Sequence, residues 1–296
     1  MEFMRTDRPP PATVLITGAS SGIGEAVALK AADHANRLAL LARNEAALEK
    51  VAARCRERGP REVQVLVADV GVAADVQAQI GSVLADWDNF DVVVNSAGVA
   101  GFGLLTEMPA DVFDRIVQTN LLGSANVLRA VLPAMRDHDH GTVVLLGSIN
   151  GHLVVPSLGA YTVSKWGLRA LARTAQIENR DRQGIHICHL SLSSADTPIW
   201  TRAANYGSRA IKPAPPTLDV EEAADKVLAA AAQPRRVVHE GHGNRGLRLG
   251  YSLLPSAYDR LVTPVFRMLA SKPRPTAEGH PGNAFEPWDP KGPSLS

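Results

Sequence analysis

Tyr161 and Lys165 lie four positions apart in AYTVSKWG, residues 160–167, a stretch whose residue types predict a helix. Helical side chains at this spacing are neighbours one turn apart, with about 5–6 Å between their Cβ atoms. A cation held at that distance favours the ionised phenol and lowers its pKa. Taken singly, each residue is more typical of packing or of a solvated helix face. Together they predict a tyrosine that exchanges a proton with a ligand.

A glycine-rich turn, TGASSGIG, follows the first apolar stretch of the chain. Glycines there lack a Cβ, which permits tight turning and lets a pyrophosphate approach the backbone amides. The start of the next helix adds unpaired N–H groups and a positive dipole end. The alternative is a purely structural turn. We expect a dinucleotide to contact this segment at Gly18, Ser20, Ser21, Gly22, Ile23 and Gly24.

Arg43 follows the second apolar stretch, in LALLARNEAAL. Proteins that bind NAD(H) usually place an acid near this point to accept hydrogen bonds from the ribose, and none is present here. A guanidinium suits a 2′-phosphate through charge-assisted, bidentate hydrogen bonds. The sequence therefore favours NADP(H) over NAD(H), the alternative being a solvated arginine at a strand end.

Short β-branched stretches alternate with amphipathic segments along most of the chain. Strands are predicted at 13–17, 37–42, 63–68, 91–95, 142–147, 185–192 and 235–240, and helices at 22–35, 45–58, 75–86, 110–136, 160–179 and 220–232. Near-continuous apolar strands joined by helices predict an α/β fold with a doubly wound parallel sheet of about seven strands and helices on both faces.

Composition limits the possible partners. The chain has 296 residues, a formal charge of +1 and two cysteines, Cys55 and Cys188. Near-neutral charge predicts no nucleic-acid partner and favours a small-molecule substrate. The cysteines and the lack of an apolar stretch near the N-terminus predict a cytoplasmic protein. His239 and His242 lie in HEGHGN without metal-site spacing, so no metal site is expected.

Three regions are predicted: a leader at 1–12, a catalytic and dinucleotide-binding domain at 13–243, and an extension at 244–296 that is partly helical and then irregular. The extension is apolar over 247–269, but Pro255 and Pro264 interrupt it, and it falls short of a membrane span. It could close the substrate pocket, cover an oligomer surface or make peripheral contact with a membrane.

The chain resembles the short-chain dehydrogenase/reductase family between about residues 13 and 240. The resemblance rests on TGASSGIG, NSAG at 95–98, Asn120, Ser148 and the Tyr161/Lys165 pair. It implies a Rossmann fold, in which Asp69 and Val70 contact the adenine, Asn95, Ala97 and Gly98 support the cofactor passage, and Thr197 bonds the nicotinamide carboxamide. Homodimers or homotetramers are common in this family.

The same resemblance implies the catalytic roles. Tyr161 would be the general acid or base, and Lys165 would lower its pKa and bind the nicotinamide ribose. Ser148 would orient the substrate oxygen, and Asn120 would help to hold a relay water. Leu192 and Ser193 replace the usual Pro-Gly before Thr197, which changes the loop beside the nicotinamide.

The expected function is an NADP(H)-dependent oxidoreductase that interconverts a carbonyl and an alcohol. Phe102, the 151–159 loop, Ile199 and Trp200 surround the presumed site with apolar groups, which favours a hydrophobic substrate. The alternatives are a non-catalytic NADP(H)-binding sensor or scaffold on the same fold and, less favoured, a sugar-nucleotide epimerase.

Overall fold

The computed structural model describes residues 12–240, 244–273 and 278–287. The expected leader, apart from Ala12, lies outside these residues, as do His242, the expected boundary at 243 and the last nine residues of the extension. Among the described residues, no helix combines the length and the apolar character needed to cross a membrane.

Seven parallel strands form the central sheet, and from one edge to the other they are Val237–Glu240, Ile185–Leu192, Gly141–Leu146, Val92–Asn95, Thr13–Thr17, Arg37–Ala42 and Glu62–Val67. The elements follow the chain as β1 (Thr13–Thr17), α1 (Gly22–Ala32), β2 (Arg37–Ala42), α2 (Glu45–Arg56), β3 (Glu62–Val67), α3 (Ala73–Trp87), β4 (Val92–Asn95), β5 (Gly101–Phe102), α4 (Ala110–Val117), α5 (Gly123–His138), β6 (Gly141–Leu146), α6 (Gly159–Glu178), β7 (Ile185–Leu192), α7 (Ile199–Arg202), β8 (Ala204–Asn205), β9 (Arg209–Ile211), α8 (Val220–Ala232), β10 (Val237–Glu240), α9 (Asn244–Leu253), α10 (Pro255–Ala270) and β11 (Ser271–Pro273).

Burial on both faces explains why the strands are apolar throughout. All five residues of β1 are buried. Because successive side chains of a strand point to opposite faces, Val14 and Ile16 join one core cluster and Leu15 the other. Helices α1, α2 and α8 cover the first face, and α3, α5 and α6 cover the second. The predicted fold class, a doubly wound parallel sheet, is confirmed.

One predicted helix is interrupted. The segment predicted as a single helix over 110–136 forms α4 and α5, with a π-helical turn over Gln118–Leu122 between them. A π turn inserts an extra residue and rotates the side chains that follow it, and such turns are frequent at functional sites. Asn120 lies in this turn.

The sheet reverses its winding direction between β1 and β4, which are neighbours in the sheet although β2 and β3 lie between them in the chain. Ligands of open α/β sheets bind in the crevice at the carboxyl ends of such strands. Thr17 and Asn95 end the two strands, and the Thr17 hydroxyl donates to the Asn95 side-chain oxygen over 2.9 Å. The Asn95 amide donates to Ser124 over 2.7 Å, so buried hydrogen bonds fix this edge.

Two helices and a short strand follow the central sheet. Strand β11, which follows α10 directly, pairs antiparallel with β9, and β8 pairs with β5 in a separate two-stranded ribbon. These small pairings hold α10 above the carboxyl edge of the main sheet.

Candidate active site

A cavity of about 1310 Å³ runs along the carboxyl edge of the sheet. One end lies at Arg43, and the other lies under α10. Most of the residues predicted to bind cofactor or act in catalysis line it: Gly18, Ser20, Ser21, Gly22, Ile23, Arg43, Asp69, Val70, Ala97, Gly98, Ser148, Tyr161, Lys165 and Thr197. Leu192 and Ser193, the departures from the family pattern, also line it.

Gly24, Asn95 and Asn120 support the wall from behind. A Cβ at Gly24 would lie 2.3 Å from the Gly18 oxygen, so only glycine fits where α1 meets the turn. Gly18 has a φ of +68°, and a Cβ there would lie 2.8 Å from the Ala97 backbone. The glycines therefore bring the turn against the neighbouring strand end and leave a backbone cradle open to the cavity.

Ser148 and Tyr161 meet inside this cavity. Ser148 follows β6, and Tyr161 lies in the first turn of α6. The Ser148 Oγ accepts a hydrogen bond from the Asn150 backbone N–H over 3.2 Å, which orients it, and it also bonds the Tyr161 phenol. Burial raises the pKa of Tyr161, and the hydrogen bond with Ser148 opposes that rise. The phenol is therefore held in its protonated form beside a hydroxyl partner.

Lys165 is buried, with 7% of its surface exposed. Its Nζ lies 5.5 Å from the centre of the Tyr161 ring and donates to the Leu146 carbonyl over 2.9 Å. Burial lowers the pKa of this ammonium to about 8. Lys165 was expected to lower the pKa of Tyr161. Within the chain alone, burial instead raises the pKa of Tyr161, and the contact that opposes this rise comes from Ser148.

Asn120 has its side chain fixed within the protein. Its side-chain oxygen accepts from the Val99 N–H over 2.8 Å, and its amide donates to the Val99 carbonyl over 2.9 Å and to the Ser164 Oγ over 3.0 Å. Ser164 in turn donates to the Tyr161 carbonyl over 2.7 Å. Asn120 therefore joins the π turn to the helix that carries the phenol.

Arg43 contacts a segment that is distant in sequence. Its guanidinium donates to the carbonyl oxygens of Asn283, Ala284 and Phe285 over 2.7, 3.0 and 2.8 Å. Residues 279–287 therefore form a strap, which also lines the cavity at Asn283 and Pro287. The strap is also held by the Asn283 N–H, which donates to the Arg202 carbonyl over 2.8 Å.

Asp69 forms an ion pair with Arg115, which also contacts the strap. Arg115 donates to the Ala284 carbonyl over 3.1 Å. The other Asp69 oxygen accepts from the Gly71 N–H over 2.8 Å. Asp69 therefore lies at the expected edge of the cavity with its carboxylate bound to residues of the chain.

Several contributors were missed by the sequence reasoning. Arg115 lies on an amphipathic helix, where an arginine is typical of a solvated face. The strap comes from a Pro- and Gly-rich tail, and its only local signal is the turn at Gly282, where φ is +54°. Ser164 follows Tyr161 by three residues, a spacing that places it close to the phenol's helix turn.

Comparisons with known proteins find similarity over most of the chain. A family model described as short chain dehydrogenase matches residues 12–205. Sepiapterin reductase of Chlorobaculum tepidum is 30% identical over 234 residues, which cover 77% of this chain and 93% of that protein.

Two solved structures are also similar. Alcohol dehydrogenase from the archaeon Thermococcus sibiricus, complexed with 5-hydroxy-NADP, is 33% identical with a TM-score of 0.65, over 77% of this chain and 94% of that one. NAD⁺-bound xylitol dehydrogenase is 33% identical with a TM-score of 0.59, over 62% of this chain and 70% of that one. The two neighbours carry different nicotinamide cofactors.

The buried Lys165 predicts a specific pH dependence of stability. Its pKa is about 8 in the folded protein and near 10.4 in an unfolded chain, so the folded state binds fewer protons between these values and stability rises with pH across that window. Lys165→Met removes this contribution. From pH 7 to pH 10, the free energy of unfolding of the wild type should rise relative to that of the variant by about 2 kcal/mol.

Denaturant unfolding at the two pH values measures this change. Lys50→Met, at an exposed lysine, is the matched control and should keep a constant difference from the wild type. A Lys165→Met difference that is the same at both pH values would contradict the burial of a titrating ammonium.

Proposed function

The chain belongs to the short-chain dehydrogenase family, and from that premise we propose that it is an NADP(H)-dependent oxidoreductase that interconverts a carbonyl and an alcohol on a hydrophobic small molecule. The observation that carries the proposal is the pairing of Tyr161 with Ser148 inside the large cavity. A non-catalytic binder has no need of a protonated phenol held by a second hydroxyl.

The cavity fits a dinucleotide along the edge between Arg43 and Lys165. The backbone cradle at Gly18 is a place where a Cβ would clash, and the N-terminus of α1 adds amides and a positive dipole end that suit a pyrophosphate. We assign the cofactor to the predicted residues that line this edge, with Thr197 and Lys165 at its nicotinamide end. When bound, the nicotinamide supplies or receives the hydride.

Tyr161 moves the proton. In the direction of carbonyl reduction, the phenol donates its proton to the substrate oxygen, and burial favours the protonated form needed for that step. Ser148 binds the same oxygen and orients it towards the phenol. In the direction of alcohol oxidation the phenolate is required, and the Lys165 ammonium supplies a positive charge close to the ring.

In this proposal Asn120 is a positioning residue, which holds neighbouring elements in place. Its hydrogen bonds to Val99 and Ser164 hold the π turn against α6, and the turn places it behind Gly98. The family resemblance implies a relay water next to Lys165, and Asn120 and the π turn would help to hold that water.

Arg43 favours NADP(H) over NAD(H). It lies at the cofactor end of the cavity, and it already binds three oxygen acceptors of the strap in a forked arrangement. The same donors would bind the 2′-phosphate oxygens more strongly, because the phosphate adds a negative charge and a bidentate geometry that the neutral carbonyls lack.

For its setting, we propose a reducing cytoplasm and a homodimer or homotetramer. Cys55 and Cys188 are free and buried, and burial raises the pKa of each thiol to about 11. Such thiols are unreactive and need no oxidising compartment. Leu122, in the turn before α5, and Val163 and Ile177, on α6, are exposed, which supports an apolar contact between copies.

Tyr161→Phe tests the catalytic assignment. Removal of the proton donor should lower kcat for carbonyl reduction by about 10²–10⁴-fold, since that is the usual contribution of general acid–base catalysis. NADPH affinity should stay within about twofold, because the phenol ring is retained. A carbonyl panel followed by NADPH absorbance, with fluorescence titration of NADPH, measures both quantities.

Tyr206→Phe is the matched control, because Tyr206 packs beside the cavity with Val99 and Met108 rather than against Ser148. It should keep wild-type rates. A turnover rate of Tyr161→Phe equal to that of the wild type would reject the assignment. If the wild-type protein reduces no compound of the panel, the non-catalytic binder is favoured.

Arg43→Asp tests the cofactor preference. Replacing the guanidinium with a carboxylate should weaken NADPH binding by about 10- to 100-fold through loss of charge-assisted hydrogen bonds and added repulsion, while NADH changes little. Titration of each cofactor measures the effect, with Arg54→Asp on the exposed surface as the control. Equal losses for the two cofactors would contradict a 2′-phosphate contact.

Gly282→Val asks whether the strap competes with the 2′-phosphate. Gly282 has a φ of +54°, and a Cβ there would lie 2.4 Å from the Arg202 oxygen, so the strap cannot keep its position. The donors of Arg43 are then released, and NADPH should bind about 3- to 10-fold more tightly with NADH unchanged. Gly246→Val, where a Cβ meets nothing within 4 Å, is the control. Weaker or unaltered NADPH binding would show that the strap does not compete.

A further inference from the structure

Helix α10 presents an apolar stripe to the cavity. Leu254, just before the helix, and Ala257, Leu261, Val262, Val265 and Phe266 recur at intervals of three and four residues and all line the cavity. This spacing places them on one face of the helix. The stripe spans about 18 Å, from the rise of 1.5 Å per residue.

The stripe faces the protein and yet remains accessible. Leu261 is 60% exposed and Val265 is 42% exposed, although both point into the cavity. An amphipathic helix normally buries such a face against a core, because exposed apolar surface is unfavourable. The space between α10 and the site is therefore wide enough that the chain itself does not cover these side chains.

The opposite wall of this space is also apolar. Phe102 and Trp200 stack at 6.2 Å with nearly parallel rings, and Leu153 and Val155 continue the wall. Of the lining residues that the structure describes on α9, α10 and the 153–158 loop, none carries a charge. Arg202, at the end of the short helix that carries Trp200, is a charged residue that also lines the cavity. Tyr161 lies at the inner end of the same space.

Helix α10 is fixed at both ends. The Tyr258 hydroxyl donates to the Val154 carbonyl over 2.6 Å, which ties the first half of the helix to the loop beside the site. At the far end, the Lys212 N–H donates to the Ala270 carbonyl over 2.9 Å, and Arg209 donates to the Ser271 hydroxyl over 2.6 Å. The distance between the two walls is thus set by hydrogen bonds.

We propose that the substrate is an elongated, uncharged, lipid-like ketone or secondary alcohol, whose reacting oxygen binds Ser148 and Tyr161 and whose apolar body lies along the stripe of α10. This inference rests on the proposed oxidoreductase function for the position of the reacting oxygen. It adds the substrate's length, its lack of charge and the residues that select it. Helix α10 then acts as the wall that determines substrate length.

A series of methyl ketones of increasing chain length tests the proposal. Each added methylene should lower KM by about two- to fourfold until the stripe is covered, from the free energy of burying a CH₂ group, with little change in kcat. Leu261→Asp places a charge in the stripe and should reduce kcat/KM for long ketones at least tenfold more than for short ones.

Met268→Asp is the matched control, since Met268 is 71% exposed and does not line the cavity. It should behave as the wild type. A kcat/KM that is flat along the series, or equal effects of the two aspartate variants, would overturn the proposal.

Binding of the uncharged dye Nile red separates this inference from the proposed activity. The dye should bind Tyr161→Phe as it binds the wild type, a long-chain secondary alcohol should displace it, and Leu261→Asp but not Met268→Asp should weaken it about tenfold. This pattern supports the apolar site even if no ketone is reduced, in which case the proposed activity alone fails. If Leu261→Asp leaves dye binding unchanged, the inference is overturned, whatever the enzyme reduces.

Discussion

The burial of a phenol and an ammonium on one helix is the constraint on which the site depends. Burial acts on the two groups in opposite senses: it keeps the Tyr161 phenol protonated and lowers the pKa of Lys165 to about 8. Within the chain, Ser148 and the Leu146 carbonyl provide their main polar contacts. The site is therefore ready to donate a proton, while the phenolate form needs further positive charge. A bound oxidised nicotinamide carries such a charge, so cofactor binding and activation of the phenol would be coupled.

The central sheet determines where Ser148, Tyr161 and Lys165 lie. Parallel strands end at one edge, and the junction of β1 and β4 opens the crevice there. Gly18 lets the nucleotide turn close against Ala97, and the Thr17–Asn95–Ser124 hydrogen bonds hold the strand ends behind it. In the proposed function, elements outside the sheet select the substrate. Helix α10 contributes an apolar wall, and its anchoring through β9 and β11 makes that wall part of the fold.

Much of this arrangement follows from local patterns in the sequence. Short, near-continuous apolar stretches predicted the sheet and amphipathic segments predicted its helices, and β1, β2, β7 and α8 have the expected ends. The spacing of Tyr161 and Lys165 is likewise local. The π turn at Asn120 has no periodic signature, because the residues on both sides keep helical patterns. The strap joins Arg43 to residues some 240 positions away, a contact that no local pattern encodes. The sign of the Tyr161 pKa shift depends on burial in three dimensions, which spacing alone does not give.

Transfer of isotope from the cofactor tests the central claim most directly. NADPH that carries two deuterium atoms at the reactive carbon of the nicotinamide is incubated with the enzyme and a long-chain methyl ketone, and the alcohol is examined by mass spectrometry. The account predicts one deuterium on the carbinol carbon when the cofactor is labelled, and none on that carbon when only the water is labelled. An alcohol that takes its carbon-bound hydrogen from water, or a labelled cofactor that is never consumed, would contradict a dehydrogenase in which Tyr161 supplies only the proton.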